Sequence, residues 1–230
     1  MTKDFSHFEQ KLGVKFNNSD LLRQSMVHRS YLNEHPKFEL QHNERLEFLG
    51  DAVLELIVTE YLYQTYPNPE GELTNWRASL VNAKMLAELA RVFDLDHYLF
   101  LSKGEQKDKK SKARAFILAD AFEALIGAIY LDQGWEGSKD FVVKHLIPRL
   151  TMILENHLYQ DPKSRFQEAS QDRSGVTPTY KVLHESGPDH ARKFRIGIYI
   201  GEELVAEGEG TSKQEAQVRA AEKALEVKGW

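Results

Sequence analysis

The chain has 230 residues, enough for one large or two modest domains that each bury a core. Hydrophobic residues make up 41% and charged residues 28%, which excludes wholesale disorder and fibrous designs. The absence of Cys excludes disulfides, thiolate metal sites and cysteine nucleophiles, and a net charge of −5 (30 Lys+Arg, 35 Asp+Glu) argues mildly against a nucleic-acid partner unless cations are concentrated locally. Any metal must therefore sit on oxygen or imidazole. Met1 to Ser6 carries no apolar leader core, and no stretch approaches the ~18 uncharged apolar residues of a membrane span, so a cytoplasmic location without a membrane partner is expected.

From Phe5 to about Leu158 the dominant period is helical. Asn43 to Tyr63 places Leu46, Leu49, Val53, Leu56 and Ile57 on one stripe, as an amphipathic helix requires. Tyr66-Pro67-Asn68-Pro69-Glu70-Gly71 is a turn. Leu73 to Phe93 continues as helix, with Leu80, Met85, Leu86, Leu89 and Val92 apolar, and Ala113 to Leu131 is apolar nearly all round before the turn Asp132-Gln133-Gly134. This part, residues 1–158, is expected to be an all-α domain.

Around Tyr159 to Pro162 the pattern changes. A short helix from Lys163 to Gln171 precedes strands at Tyr180 to His184, Lys193 to Ile200 and Val205 to Glu209, separated by turns at Gly187 to His190 and Gly201 to Glu203. Ser212 to Val227 returns to helix, with Ser212 as N-cap and Glu215 completing a capping box. Residues 161–230 are expected to form an α+β domain of order α-β-β-β-α.

The carboxylates carry the chemistry. Glu44, Glu47 and Asp51 fall within about 60° of arc on one helix, and Glu55 extends that stripe. By spacing alone this is either a solvated acidic face or one half of a site. Asp120 and Glu123 are the only charged residues between Ala115 and Ile129. An ionised carboxylate on a buried helix costs several kcal/mol unless it is paired, hydrogen-bonded or coordinated to a cation. A salt bridge to Arg or Lys is one solution. If the pair instead faces Glu47 and Asp51, four clustered carboxylates titrate upward unless a divalent cation neutralises them, and all-oxygen ligation suits Mg²⁺ or Mn²⁺. A di-iron bundle would use Glu-x-x-His on facing helices, and no acid on these two helices has His three residues later.

The run Asn43-Glu44-Arg45-Leu46-Glu47-Phe48-Leu49-Gly50-Asp51-Ala52-Val53-Leu54 closely resembles the signature of the ribonuclease III family, endonucleases specific for double-stranded RNA. Val27-His28-Arg29-Ser30 upstream and Glu70-Gly71-Glu72-Leu73, Arg77-Ala78 and Leu80-Val81 downstream are placed as in that family, and Ile117 to Gly127 resembles its second catalytic helix. The resemblance implies a homodimer in which each subunit cuts one strand, leaving 5′-phosphates and short 3′ overhangs. It implies a metal site of Glu47, Asp51, Asp120 and Glu123, with Asp51 and Glu123 closest to the chemistry, and further valley acids at Glu44 and Glu70. It also implies that Phe48 plugs a socket on the partner subunit, whereas spacing alone reads Phe48 as core. A non-catalytic RNA-binding or assembly factor on the same fold would be marked by loss of a metal-ligand acid, and none is missing.

The C-terminal segment resembles the family's double-stranded-RNA-binding domain. The resemblance places Gln167 and Glu168 against minor-groove hydroxyls, His190 in a minor groove, and Lys213 against phosphate at a helix N-terminus. Many such domains carry further basic residues one and four positions after Lys213, where this chain has Gln214 and Gln217. The segment from Asp161 to Trp230 holds 11 Lys+Arg and 12 Asp+Glu, so modest RNA affinity is expected. Ala216, Ala220, Ala221 and Ala224 read as small residues that let a helix approach a sheet closely. The densest basic run, Lys103, Lys107, Lys109, Lys110, Lys112 and Arg114, is either solvated loop charge or a phosphate contact at the mouth of the acidic site.

Overall fold

The computed structural model describes residues 3–108, 111–188 and 192–230, and the chain divides into two compact units, Met1–Tyr159 and Gln160–Trp230. The first unit is helical throughout. It comprises α1 (Phe5–Leu12), α2 (Ser19–Ser25), α3 (Arg29–Glu34), α4 (Glu44–Thr65), α5 (Glu70–Leu80), α6 (Ala83–Val92), α7 (Leu95–Tyr98), α8 (Lys103–Lys107), α9 (Lys112–His145) and α10 (Arg149–Glu155). Among the described residues no helix is long and apolar enough to cross a membrane.

Helices α4 and α9 form the central pair. Leu46, Val53, Leu54, Ile57, Val58 and Leu62 of α4 are buried against Ile117, Leu118, Phe122, Leu125, Ile126 and Ile129 of α9 and the surrounding helices. Each such side chain stabilises the fold by roughly 1.5–3 kcal/mol relative to an exposed one. The pair is closer than ordinary side chains permit. A Cβ added at Gly50 would overlap the backbone carbonyl of Glu123, and one at Gly127 would overlap the carbonyl of Leu46. The two glycines face each other's helix one turn apart in height, and they bring the acidic faces of α4 and α9 together.

Three sequence expectations change here. The helix expected from Leu73 to Phe93 is two helices, because the Asn82 side chain accepts the Met85 backbone N–H at 3.0 Å and starts a new N-terminus. The break expected at Asp132 to Gly134 is present, but as a kink at Gly134 (φ +74°, ψ −163°) where two helical segments of α9 join, and not as a longer turn. Leu56 and Val92, assigned to the buried stripes, are more than half exposed. The α4 core stripe instead runs through Leu46, Gly50, Val53, Leu54, Ile57 and Val58.

The second unit comprises α11 (Pro162–Ser174), β1 (Thr179–Ser186), β2 (Lys193–Ile200), β3 (Glu203–Gly210) and α12 (Lys213–Lys228). The strands form an antiparallel sheet in the order β1-β2-β3, with Tyr180 opposite Ile198 and Ile196 opposite Gly208. One face of the sheet is covered. Phe194, Ile196 and Ile198 alternate inward along β2 and meet Phe166 of α11 and the alanines of α12. Ala216, Ala220, Ala221 and Ala224 are fully buried, and a Cβ at Gly208 of β3 would overlap the backbone of Ala216 and Ala220, so small residues on both sides set this close approach. The α12 N-terminus is capped as a near capping box. Ser212 Oγ accepts the Glu215 N–H at 3.1 Å, while the Glu215 carboxylate reaches past the N-cap to the Thr211 N–H at 2.7 Å.

Candidate active site and nucleic-acid interface

Three of the four sequence-predicted metal ligands converge. One carboxylate oxygen each from Glu47, Asp120 and Glu123 lies within 4.8 Å of the others, and all three side chains are half-buried. Among the described residues no Lys or Arg lies within ion-pair distance of any of them, so the salt-bridge solution for Asp120 and Glu123 is not the one this fold adopts. The electrostatics record the strain of that arrangement. Glu123 is pushed up to about 8, first by burial and then by the charges of Asp51, Asp120, Glu47 and Glu55. Glu47 is raised by burial and by Asp120, Glu44 and Asp51, and Asp120 by burial. Without a cation this site holds a proton near neutral pH. A divalent ion would take the place of that proton.

Asp51 stands at the exposed lip of the cluster, outside the group of three but with the largest charge effect on Glu123. Glu44 is exposed one turn before Glu47, and its carboxylate lies 3.5 Å from the Arg29 guanidinium and 3.7 Å from His42 Nδ1. Glu70 does not join the cluster within one chain. It begins α5, beyond the far end of α4, and accepts a 2.9 Å hydrogen bond from Thr74. It borders a groove lined by Leu62, Tyr63, Tyr66, Leu73 and Arg77.

Phe48 is 82% exposed, which overturns its reading as core. With Ala52, Leu56 and Tyr63 it forms an exposed apolar stripe spanning about 80° of α4, adjacent to the acids. The basic run also changes. Arg114 is buried and donates to Asp96 from Nε and from the guanidinium tip, both at 2.7 Å, so it belongs to the interior and not to a phosphate-binding loop. Lys112 lies over the Phe116 ring at 6.0 Å, and Lys109 and Lys110 lie outside the described residues.

In the second unit Gln167 and Glu168 are exposed on α11, and Lys213 is exposed at the first position of α12 with its ammonium 5.8 Å from the centre of the Phe194 ring. His190 lies outside the described residues. What sequence reasoning missed was the pair Gly50 and Gly127. Glycine costs about 1 kcal/mol relative to alanine inside a helix, and its presence mid-helix in both acidic segments was a signal of close approach.

The profile described as "Ribonuclease-III-like" matches residues 18–150, and the profile described as "Double-stranded RNA binding motif" matches residues 162–228. The chain belongs to the ribonuclease III family. It is 41% identical over 226 residues to Ribonuclease 3 of a Nitratiruptor species, covering 98% of this chain and 97% of the relative. It is 43% identical over 224 residues to Ribonuclease 3 of Oceanobacillus iheyensis, covering 97% of each. Among solved structures, the nuclease domain of ribonuclease III from Campylobacter jejuni superposes with a TM-score of 0.57 at 37% identity, over 63% of this chain and 97% of that one. That protein is described for structural flexibility in a region involved in dimer formation. The chain is thus an endoribonuclease of the ribonuclease III family, with a helical nuclease domain followed by a double-stranded-RNA-binding domain.

Proposed function

We propose that this ribonuclease III family member cuts duplex RNA as a Mg²⁺-dependent homodimer, with Mn²⁺ able to substitute, leaving 5′-phosphates and short 3′ overhangs. The observation that carries the reading is the unpaired cluster of Glu47, Asp120 and Glu123, with Asp51 at its lip. The donor set fits a hard divalent cation: it is all oxygen, it carries excess negative charge, and among the described residues no basic side chain neutralises it. When bound, such an ion promotes attack of water on the phosphodiester and stabilises the leaving oxygen. The chain's own part is to hold these carboxylates on two rigid helices, so that no reorganisation is needed when charge develops. Residues 1–158 would supply the cleavage and residues 161–230 the duplex binding, through Gln167, Glu168, His190 and Lys213.

Dimerisation follows from the exposed stripe of α4. Leu56 lies near its centre, with Phe48 about 12 Å before it and Tyr63 about 10 Å after it at 1.5 Å per residue. A twofold axis near Leu56 that pairs α4 antiparallel with its copy sets Phe48 beside the Tyr63 end of the second copy, where the groove of Leu62, Tyr66 and Leu73 opens. The same operation carries Glu70 of the partner subunit to the Glu44 and Glu47 end. That would explain why Glu70 lies so far from the cluster within one chain. Phe48→Asp is expected to convert the dimer to monomer at micromolar concentration, read by sedimentation, with the helical content of each chain retained because the side chain is exposed within one subunit, and with a melting temperature lowered only by what dimerisation contributes. A wild-type monomer, or a Phe48→Asp dimer, would refute this arrangement.

Cleavage assays decide the main reading. Duplex and single-stranded RNA are each incubated with Mg²⁺, with Mn²⁺ and with chelator. Cutting of the duplex alone, and only with a divalent ion, is the expected result. Duplex binding without cutting under any ion would favour the non-catalytic class, and cutting in chelator would remove the metal from the mechanism.

A further inference from the structure

The double-stranded-RNA-binding unit has no net positive charge to offer, yet its cations are not equivalent. Four are neutralised locally: Arg192 meets Glu185, Arg195 meets Glu209, and Lys228 meets Glu203, each at 2.9 Å, and Arg219 meets Glu215 at 2.6 Å. Lys163 is one of those that are not. Its ammonium donates to Gln217 Oε1 at 2.9 Å and lies 5.4 Å from the centre of the Tyr180 ring. Among the described residues no carboxylate comes within ion-pair distance of it. Asp161, two residues earlier, is occupied in capping α11, accepting the backbone N–H of Lys163 at 3.0 Å and of Ser164 at 3.1 Å.

Its position is also unusual. Lys163 is one turn before Gln167 on α11, and the side chain it touches, Gln217, is one turn after Lys213 on α12. The ammonium therefore stands between the two elements proposed to contact RNA, at the place on α12 where Gln217 itself carries no charge. A lysine ammonium has three N–H donors, so the bond to Gln217 leaves donors for a further acceptor. Its stem is half-buried and its tip is held, which lowers the ordering cost of a new contact.

We propose that Lys163 supplies, from α11, the positive charge that position 217 of α12 lacks, and that it binds an RNA backbone phosphate next to the one held by Lys213. This rests on the reading of residues 161–230 as the duplex-binding unit. Gln217 acts as the positioning residue and Lys163 as the contact.

The test is duplex binding by the full chain, in chelator to prevent cleavage, across several salt concentrations. The probe is an RNA duplex of about 20 base pairs, longer than the ~16 a domain of this class spans. Lys163→Gln is expected to weaken binding about fivefold at 0.15 M salt and to lower the log–log salt slope by about one phosphate contact, as Lys213→Ala would. Adding Gln217→Lys to Lys163→Gln is expected to restore both affinity and slope, because the charge returns to the same place from the other helix. Lys223→Gln, an exposed lysine elsewhere on α12, removes the same charge and is expected to leave the slope unchanged. An unchanged slope for Lys163→Gln overturns the proposal, as does failure of the double variant to recover while its melting transition matches wild type. A wild-type chain that ignores duplex RNA overturns the underlying reading and this proposal with it.

Discussion

Replacing Glu123 by Gln is expected to cut the cleavage rate at saturating duplex RNA by about 100-fold or more while leaving RNA affinity intact. Loss of groups that merely orient a metal's ligands costs 10–100-fold, and Glu123 is placed to be a ligand itself. The amide preserves volume and removes the charge. A second consequence has the opposite sign. In the ion-free protein Glu123 keeps its proton up to about pH 8, whereas in the unfolded chain it ionises near 4.5. Between those values the unfolded state releases a proton that the folded state retains, so wild-type stability falls as pH rises from about 4.5 to 8. Glu47 and Asp120 are shifted in the same direction and add to the slope. Glu123→Gln removes the largest part of it. In chelator at pH 7.5 the variant should therefore be more stable than wild type, by on the order of 2 kcal/mol after allowing for partial solvent access, and the two should converge below about pH 4.5. Added Mg²⁺ should raise the wild-type melting temperature and narrow the gap. A variant that cleaves at the wild-type rate, or a wild type whose ion-free stability does not depend on pH, would refute the assignment.

Gly50→Ala is expected to damage both stability and activity although it adds a single methyl group far smaller than any ligand. The added Cβ would meet the backbone carbonyl of Glu123, which cannot rotate away as a side chain can, so the helices themselves must move. Overpacking of this kind costs typically 1–3 kcal/mol. The displacement falls between the residues that bear Glu47 and Asp51 and those that bear Asp120 and Glu123. A misplacement of about 1 Å at reacting groups costs on the order of 100-fold in rate. Melting and single-turnover cleavage measure the two effects separately. Gly71→Ala provides the contrast for stability: it lies in a helix with nothing within 4 Å of the new Cβ, and its melting temperature should match or exceed that of wild type. If Gly50→Ala melts and cuts like wild type, the α4–α9 contact does not govern the site.

The stretch from Asn43 to Leu54 was legible in the chain as an amphipathic helix with an acidic face, and the stretch from Ile117 to Gly127 as an apolar helix that carries misplaced charge. Two acids in an otherwise apolar run demand a partner, and that demand follows from the cost of burying a carboxylate, whatever the fold. The strands of the second unit were legible for a similar reason: alternation along β2 and turn residues around it are local signals. The close helix–sheet packing over Ala216, Ala220, Ala221 and Ala224 was legible from residue size.

Which face of α4 would be left open was not legible. Phe48, Leu56 and Tyr63 are apolar at helical spacing, as Leu46, Val53 and Ile57 are, and hydrophobic period alone cannot tell a stripe that meets α9 from one that meets solvent or a second chain. Arg114 sat in a basic run on the chain, but Asp96, eighteen residues away in sequence, draws it inward. Lys163 reads as an ordinary helix-start lysine until α12 brings Gln217 to its tip. Composition and period thus determined the two-domain organisation, the helices and strands, and the acids that must find one another. The tertiary structure alone decided which acids meet, which cations stay free and which apolar stripe is left uncovered. Those outcomes depend on contacts between residues distant in sequence, and here the absence of side chains at Gly50 and Gly127 sets the closest of them.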